Sequence, residues 1–326
     1  MTHAIRIHGH GGPEVIRFEE IPSAPLGARQ VRIRQTAIGV NFIDTYHRSG
    51  LYPVPLPAGL GEEAAGVVAE AGSAVTSLRE GDRVAYVSST PGAYADERVM
   101  DAARVVKLPD SVSDRDAAAL MLKGLTAWFL LRRCHRVKRN EWVLLHAAAG
   151  GVGLIALEWA LALGARVIAA VGSEEKAALV RSQGATEVIV YTRENIAERV
   201  RAITKKRGVR VVYDGVGKDT FFASLDSLQP MGLMVSFGNA SGAVPPFSPL
   251  ELTRRGSLFL TRPTLHHYTA KASELARGVR DLFEAVAAGQ VRVRIGQTYP
   301  LADAATAHRD LEARKTTGST LLIPEA

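Results

Sequence analysis

Cysteine is almost absent: the 326 residues hold one, Cys134. A single thiol closes no disulfide within the chain, which excludes a disulfide-stapled secreted scaffold. Without a Cys-x-x-Cys pair no cysteine-based structural zinc site forms. The nine histidines are scattered and none falls in a His-Glu-x-x-His arrangement. Long hydrophobic runs are missing too. Gly or a charge interrupts each one well before the ~18 residues of a membrane-span candidate. The opening MTHAIRIHGHGGPEVIRFEE lacks the apolar stretch of a signal peptide, so the expected location is the cytoplasm. Charge of one sign is in small excess only: 40 Lys and Arg against 33 Asp and Glu give +7. That is mild for a chain of this size and reads as surface composition. A hydrophobic content of 47% with 22% charged residues excludes wholesale disorder. The length suggests about two domains, each able to bury a core.

What is present changes character along the chain. The first 110 residues read as short strands. Val31 to Ile38 alternates apolar with polar residues, Gly66 to Glu70 and Arg83 to Val87 follow, and Glu80 to Asp82 turns between those two. Pro53, Pro55 and Pro57 mark an irregular loop over Tyr52 to Gly61. Asp114 to Arg133 has helical spacing. From Glu141 on, strands at 142–146, 166–171, 188–191, 209–214, 233–237 and 258–261 alternate with helices at 152–163, 174–183, 194–206 and 220–228. That alternation predicts a parallel sheet with helices on both faces. A helix over Ala272 to Ala288, a strand near Val291 to Ile295, a short helix near Ala302 to Glu312 and a strand over Ser319 to Ile323 close the chain. The fold class is α/β. A β-rich domain is expected over 1–122, a doubly wound domain over 123–263, and a return to the first domain over 264–326.

The strongest chemical signal is His146 to Ala160, HAAAGGVGLIALEWA, where a strand runs into a glycine-rich turn and then a helix. Gly150 and Gly151 let the backbone approach a pyrophosphate, and Gly153 allows close packing of helix on strand. The helix N-terminus offers free N–H groups to the anion. Set between a strand and a helix inside a βαβ series, the run predicts a dinucleotide site. The second strand indicates which dinucleotide. Where an acid would bind the ribose 2′-OH of NAD, Gly172 stands, followed by Ser173, Glu174, Glu175 and Lys176. Room, a hydroxyl and a Lys suit a 2′-phosphate, so NADPH is expected. Glu174 and Glu175 count against this unless they face solvent and favour their own helix dipole. Tyr191, ending the third strand, is placed to stack near the adenine or reach the phosphate.

Ordered motifs then carry a resemblance. They are HGGPEV (10–15), AIGVNFIDTYHRSGLYP (37–53), LGEEAAGVV (60–68), GDRVAY (81–86), GAYADERVM (92–100), LKGLTA (122–127), HAAAGGVG (146–153), RVVYDGVG (210–217), GLMVSFGNASGAV (232–244), TRPTL (261–265) and GSTLLIP (318–324). Together the chain resembles the zinc-independent NADPH:quinone oxidoreductases, the zeta-crystallin-like branch of the medium-chain dehydrogenase/reductase superfamily, bacterial type. Zinc-dependent relatives carry a zinc-binding His where Glu62 stands, and a zinc-binding Cys where Asn41 stands, three residues before Asp44. Their cysteine-rich lobe is missing between Val87 and Gly92. The resemblance therefore implies no metal. Zinc polarises an alcohol or carbonyl oxygen in those relatives, and without it alcohol oxidation loses its Lewis acid; a quinone is a better hydride acceptor and needs less activation.

The resemblance implies a GroES-like catalytic domain from both chain ends, a Rossmann-type domain between, and a cleft at the carboxyl ends of the parallel strands. It implies a homodimer, with an edge strand near Leu258 to Thr261 pairing across a two-fold axis. Gly150, Gly151 and Val152 would hold the pyrophosphate, and Gly172, Ser173 and Lys176 the 2′-phosphate, with Tyr191 beside it. Asn41, Asp44 and Thr45 would lie near the nicotinamide. Phe237, Gly238 and Asn239 would pack along its ribose. Arg262 and Arg314 would add polar contacts. Thr126 would be a supporting hydroxyl, and Tyr46 and Tyr52 would line the quinone pocket. Asn41 or Tyr46 would donate a hydrogen bond to the developing hydroquinone oxygen.

An enone or enoyl reductase using NADPH is the alternative within the superfamily. An RNA-binding role, sensitive to dinucleotide, is the alternative of another class. It would use Arg132, Arg133, Arg136, Lys138 and Arg139, then Arg199, Arg201, Lys205, Lys206, Arg207 and Arg210. Neither stretch interleaves aromatics for base stacking, and both fit helix ends. Cys134, flanked by Arg132, Arg133 and His135, is a candidate low-pKa thiol or a small packing residue.

Overall fold

Strand β1 (Thr2–Ile7) pairs antiparallel with β2 (Ile16–Ile21) at the start of the computed structural model, which describes residues 1–325. Contacts divide the chain into two units. The first holds Met1–Lys123, Thr269–Val279 and the residues from Val293 on; the second holds Gly124–Tyr268 and Arg280–Arg292. The divisions at 123/124 and 268/269 lie beside the expected 122/123 and 263/264. Arg280–Arg292 groups with the second unit for a physical reason: Asp281 accepts the indole N–H of Trp128 (2.9 Å) and Glu158 accepts the N–H of Arg292 (2.7 Å).

The first unit continues with β3 (Gln30–Val40), helix α1 (Phe42–Ser49), β4 (Ala58–Gly59), β5 (Glu63–Ala71), β6 (Arg83–Val87), β7 (Glu97–Asp101), β8 (Val105–Lys107) and helix α2 (Asp114–Phe129). Val31 and Ile33 face inward along β3 while Arg32 and Arg34 do not, the period-2 alternation read in the sequence. From Ala37 to Val40 every residue is buried, so this end of the strand is covered on both faces. Helix α1 stops at Gly50, whose φ of 80° is the left-handed C-cap that glycine adopts without a Cβ clash. Helix α2 ends four residues short of Arg133, passing into a wide turn over Leu130–Cys134.

The second unit alternates β9 (Trp142–His146), α3 (Gly151–Ala162), β10 (Arg166–Val171), α4 (Glu174–Ser182), β11 (Glu187–Val190), α5 (Ile196–Ile203), β12 (Val209–Asp214), α6 (Phe221–Ser227), β13 (Leu228–Ser236), α7 (Leu250–Arg254), β14 (Phe259–Thr261) and α8 (Leu265–Tyr268). All its strand pairs are parallel, in the order β11-β10-β9-β12-β13-β14. This is the doubly wound arrangement whose order reverses between β9 and β12, the switch point where such sheets bind ligands. Its core joins Leu144, Ile168, Ile189, Val212, Phe221, Leu225 and Met234.

The chain closes with α9 (Ala272–Ala287), β15 (Ile295–Pro300), α10 (Ala304–Glu312) and β16 (Ser319–Ile323). The strand expected at 291–295 starts only at Ile295. The N–H groups of Gln290 and Val291 both turn back to the carbonyl of Ala285 and close the helix, so Val291 is not available to a ladder. Strand β16 lies between β15 and β3 in a sheet ordered β15-β16-β3-β5-β6-β8, with β7 also on β3. A small sheet, β2-β1-β4, completes the first unit. Ile5, Ile7, Ile33, Ile38, Tyr86, Tyr94 and Leu322 share its core.

Candidate active site

The glycine-rich turn is built as its residues dictate. Ala147, exposed, takes a left-handed φ of 50°, uncommon for a residue with a Cβ. Gly150 follows as the N-cap of α3, with no side-chain cap. The first-turn N–H groups are therefore left for an anion. A Cβ on Gly150 would meet only the Ala147 carbonyl, at 3.2 Å; one on Gly153 would lie 2.2 Å from that oxygen and 2.7 Å from Ala148 backbone atoms. The first glycine keeps space open and the second brings the helix onto its strand. Gly151 and Val152 start the helix beside them.

The end of β10 is shaped for a larger group. A Cβ at Gly172 would stand 2.6 Å from the hydroxyl of Tyr191, so a larger residue here would push that ring aside. Ser173 caps α4, its Oγ accepting the N–H of Lys176 at 3.3 Å, which leaves the hydroxyl hydrogen free to donate. Glu174, which argued against a phosphate here, is drawn off by Arg193 (2.8 Å) and Arg181 (3.7 Å). Glu175 is exposed. Room, a hydroxyl and a lysine at a helix N-terminus fit the 2′-phosphate of NADPH.

A third segment follows β12. Asp214 is fully buried and saturated: Oδ1 accepts the N–H groups of Val216 (2.8 Å) and Gly217 (3.1 Å), and Oδ2 accepts Thr220 Oγ1 (2.7 Å) and Ser224 Oγ (2.8 Å). Ser224 Oγ also lies 2.9 Å from Nε2 of His146, the residue before the glycine-rich turn. Because Ser224 spends its hydrogen on Asp214, His146 is the donor there. Burial holds that imidazole below its ordinary pKa, hence neutral. The Phe237 ring lies against Gly215, and Arg262 donates to the carbonyls of Ser236 (2.8 Å) and Gly238 (3.3 Å) and, with the Asn239 amide in its hydrogen-bonded orientation, to Asn239 (3.0 Å). Phe237, Gly238, Asn239 and Arg262 thus form one segment, with Arg262 bracing the backbone. Thr126, buried on α2, also belongs to the second unit.

In the first unit, helix α1 collects the remaining residues. Asn41 and Asp44 form a reciprocal capping box at its start, Asp44 Oδ2 accepting the Asn41 N–H at 2.8 Å. Asn41 Nδ2 donates to Glu63 Oε1 at 2.9 Å, so this amide hydrogen is committed to a carboxylate. Glu63, on β5, also accepts Lys123 Nζ (2.7 Å) and the N–H of Leu122 (2.6 Å). Thr45 donates back to the Phe42 carbonyl (2.7 Å). Tyr46 and Tyr52 meet edge to face with ring centroids 5.3 Å apart. Asp44 reaches no surface; it holds the helix start and accepts Tyr94 Oη at 2.8 Å. Its carboxyl is pushed up to about 8 by burial and then by the charge of Glu62. Arg314 is exposed in the first unit after α10, with a left-handed φ of 60°.

Sequence reasoning missed Glu63, Lys123, Asp214, Ser224, His146, Tyr94 and His308, whose Nε2 lies 3.1 Å from Tyr94 Oη. One of them had a signal: Lys123 is a charge inside an otherwise apolar run, and such a charge demands a buried partner. Several of the basic residues have partners within the protein. Arg201 donates to the carbonyls of Asp226, Leu228 and Lys206, Arg210 to that of Met231, and Arg199 pairs with Glu187 and Glu194. Arg133 lies over the ring of Trp128. Cys134 Sγ is 3.0 Å from Tyr268 Oη, and burial pushes the thiol up, away from an activated thiolate. Among the described residues no cluster of three or more His, Cys, Asp or Glu is placed to hold a metal ion.

A parallel sheet of this order with a glycine-rich turn at its switch point is the architecture of a dinucleotide-binding domain. Residues 151–288 match the zinc-binding dehydrogenase family model, and residues 27–110 match the alcohol dehydrogenase GroES-like domain. The chain is 50% identical to a quinone oxidoreductase of Pseudomonas aeruginosa, over 99% of this chain and 100% of that protein. It superposes on the crystal structure of Escherichia coli quinone oxidoreductase complexed with NADPH with a TM-score of 0.97, at 49% identity and coverage of 99% and 100%. A 2-haloacrylate reductase from a Burkholderia species is 46% identical over the full length of both chains. The chain belongs to the quinone oxidoreductase family of the medium-chain dehydrogenase/reductases.

Proposed function

We infer that this protein is an NADPH:quinone oxidoreductase. The reading is carried by an end-to-end likeness to quinone oxidoreductases, one of them bound to NADPH, on a chain whose Gly172–Lys176 turn suits a 2′-phosphate. Bound NADPH supplies the hydride. The protein binds and orients. The uncapped start of α3 receives the pyrophosphate, and Gly172, Ser173 and Lys176 receive the 2′-phosphate beside Tyr191. Arg262 keeps Phe237, Gly238 and Asn239 in place along the nicotinamide ribose. Tyr46 and Tyr52 offer an aromatic wall to a planar quinone. Asn41, anchored by Glu63, marks the nicotinamide side with Thr45, while Asp44 supports that turn from within. Thr126 supports the site from α2, and Arg314 adds charge from the turn after α10. The enzyme works in the cytoplasm as a homodimer, a state supported by the exposed edge strand β14 with Phe259 60% exposed on it.

Lys176→Ala is expected to raise the Kd for NADPH about 10-fold or more, the worth of one charge-assisted hydrogen bond, while the Kd for NADH barely moves. Fluorescence titration of both cofactors checks it. Equal losses for the two would remove Lys176 from the 2′-phosphate site.

A second reading is favoured by the 2-haloacrylate reductase relative, whose name points to an activated alkene. Initial rates on 1,4-benzoquinone, 9,10-phenanthrenequinone, 2-enals and 2-chloroacrylate separate the two. Quinones are expected to lead; a clear lead for the alkenes would reassign the substrate.

A further inference from the structure

Glu174 stands in the wrong place for a 2′-phosphate site. It follows Ser173, the cap of α4, at the end of the second strand of the parallel sheet. An acid in that region is the group that accepts the ribose 2′-OH of NAD. A carboxylate left loose there would repel a 2′-phosphate and favour NADH. Its side chain is 50% exposed, so packing does not hold it away. Two guanidinium groups do.

The first of them is fixed to the site. After β11 the chain turns back over the end of β10. The Tyr191 N–H donates to the Val171 carbonyl at 3.1 Å, the Tyr191 hydroxyl lies against Gly172, and Thr192 Oγ1 donates to the Gly172 carbonyl at 3.3 Å. Arg193 comes next, its N–H donating to the Val190 carbonyl at 2.9 Å. The neighbouring acid, Glu194, is already engaged: Oε1 accepts the Val190 N–H (3.0 Å) and Oε2 lies 3.3 Å from Arg199 Nε. The Arg193 guanidinium reaches Glu174 instead, Nη1 donating to Oε1 at 2.8 Å. Arg181, two turns along α4, lies 3.7 Å from the other oxygen, so both oxygens of Glu174 face a cation. Glu175 sits about 100° further round the helix. Among the described residues it makes no ion pair, and it is exposed.

Resting on the NADPH reading, we propose that Arg193, backed by Arg181, is a specificity-determining residue. It holds Glu174 out of the 2′ position, so that a turn carrying an acid of the NAD type serves NADPH. An exposed pair of this kind adds little to stability. Its consequence is the choice of cofactor. Released, Glu174 both repels the 2′-phosphate and accepts a ribose 2′-OH. Loss of a cation alone would do only the first, so the behaviour of NADH separates the two.

Fluorescence titration of the whole protein with NADPH and NADH tests this at low ionic strength, where exposed charges are least screened. Arg193→Gln should raise the Kd for NADPH about 5-fold, the scale of one exposed ion pair, and lower that for NADH. Adding Arg181→Gln should enlarge both shifts. Adding Glu174→Gln to that double variant should bring the Kd for NADPH back to within about 2-fold of wild type, and Glu175→Gln in its place should not. The four side chains lie on the surface, so the variants are expected to fold. An Arg181→Gln/Arg193→Gln protein with wild-type affinities overturns the proposal. So does one that weakens NADPH without improving NADH, or a rescue by Glu175→Gln equal to that by Glu174→Gln, which would reveal a general field. A wild-type protein that binds NADH as tightly as NADPH fails the NADPH reading itself, and the proposal with it.

Discussion

Gly153→Ala is expected to cost about 3 kcal/mol of stability and to abolish tight NADPH binding. The added Cβ would lie 2.2 Å from the carbonyl oxygen of Ala147 and 2.7 Å from Ala148 backbone atoms. Backbone cannot rotate out of the way as a side-chain tip can. Either α3 lifts off β9 or the turn is pushed outward, and overpacking of this kind costs about 1–3 kcal/mol or more. The helix propensity gained by replacing glycine, about 1 kcal/mol, offsets only part of this. Any shift moves the N–H groups at Gly151 and Val152 off the pyrophosphate. Gly150→Ala is the control. It has φ of −81° and one contact at 3.2 Å, so its stability should change little while its affinity falls, because the methyl takes space from the ligand. Thermal unfolding and NADPH titration of the two variants separate the roles. A Gly153→Ala protein with wild-type Tm and affinity would refute the close approach.

Lys123→Met should be as damaging in the first unit. The side chains of Glu63 and Lys123 are 0% and 5% exposed, with the ions 2.7 Å apart. Removing one partner leaves the other charge buried and uncompensated, a cost of about 3–5 kcal/mol. The pair as a whole contributes much less, because burying it already cost desolvation. Glu63→Gln with Lys123→Met should therefore recover most of the loss, with a coupling energy of about 2 kcal/mol or more in a double-mutant cycle. Chemical denaturation of the four proteins measures it. Additive losses would mean that the ion pair is not what holds the site. Glu63 also fixes the amide of Asn41, so the single variants should disturb cofactor binding as well.

Local chemistry was legible in the sequence, and long-range polar pairing was not. The strand–turn–helix at 142–162 could be read because glycine spacing, apolar strand and helix period all lie within some twenty consecutive residues. Gly172 was legible as the residue standing where an acid is otherwise needed. The Tyr191 hydroxyl that lies against it was not. Helix α1 was missed because four of its five buried residues, Asp44, Thr45, His47 and Arg48, are polar, and Tyr46 alone makes no apolar stripe. Their burial depends on Tyr94, His308 and Glu312, the last of them 264 positions away from Arg48. No window over the sequence sees such a partner. Lys123 lies between these cases: it announces itself as a charge in an apolar run, but nothing local says that Glu63 is its partner.

Strand β16 bears on how the protein is made. It is an inner strand of the first unit's larger sheet, paired with β15 on one side and with β3 on the other. During synthesis the second unit's sheet, contained in residues 142–261, has all its strands early. The first unit's N-terminal strands must wait, with the β3 edge from Ile38 to Val40 open, until residues 319–323 have been made. That edge is apolar and buried in the finished protein, so the interval before its closure is the time of greatest exposure to wrong pairing.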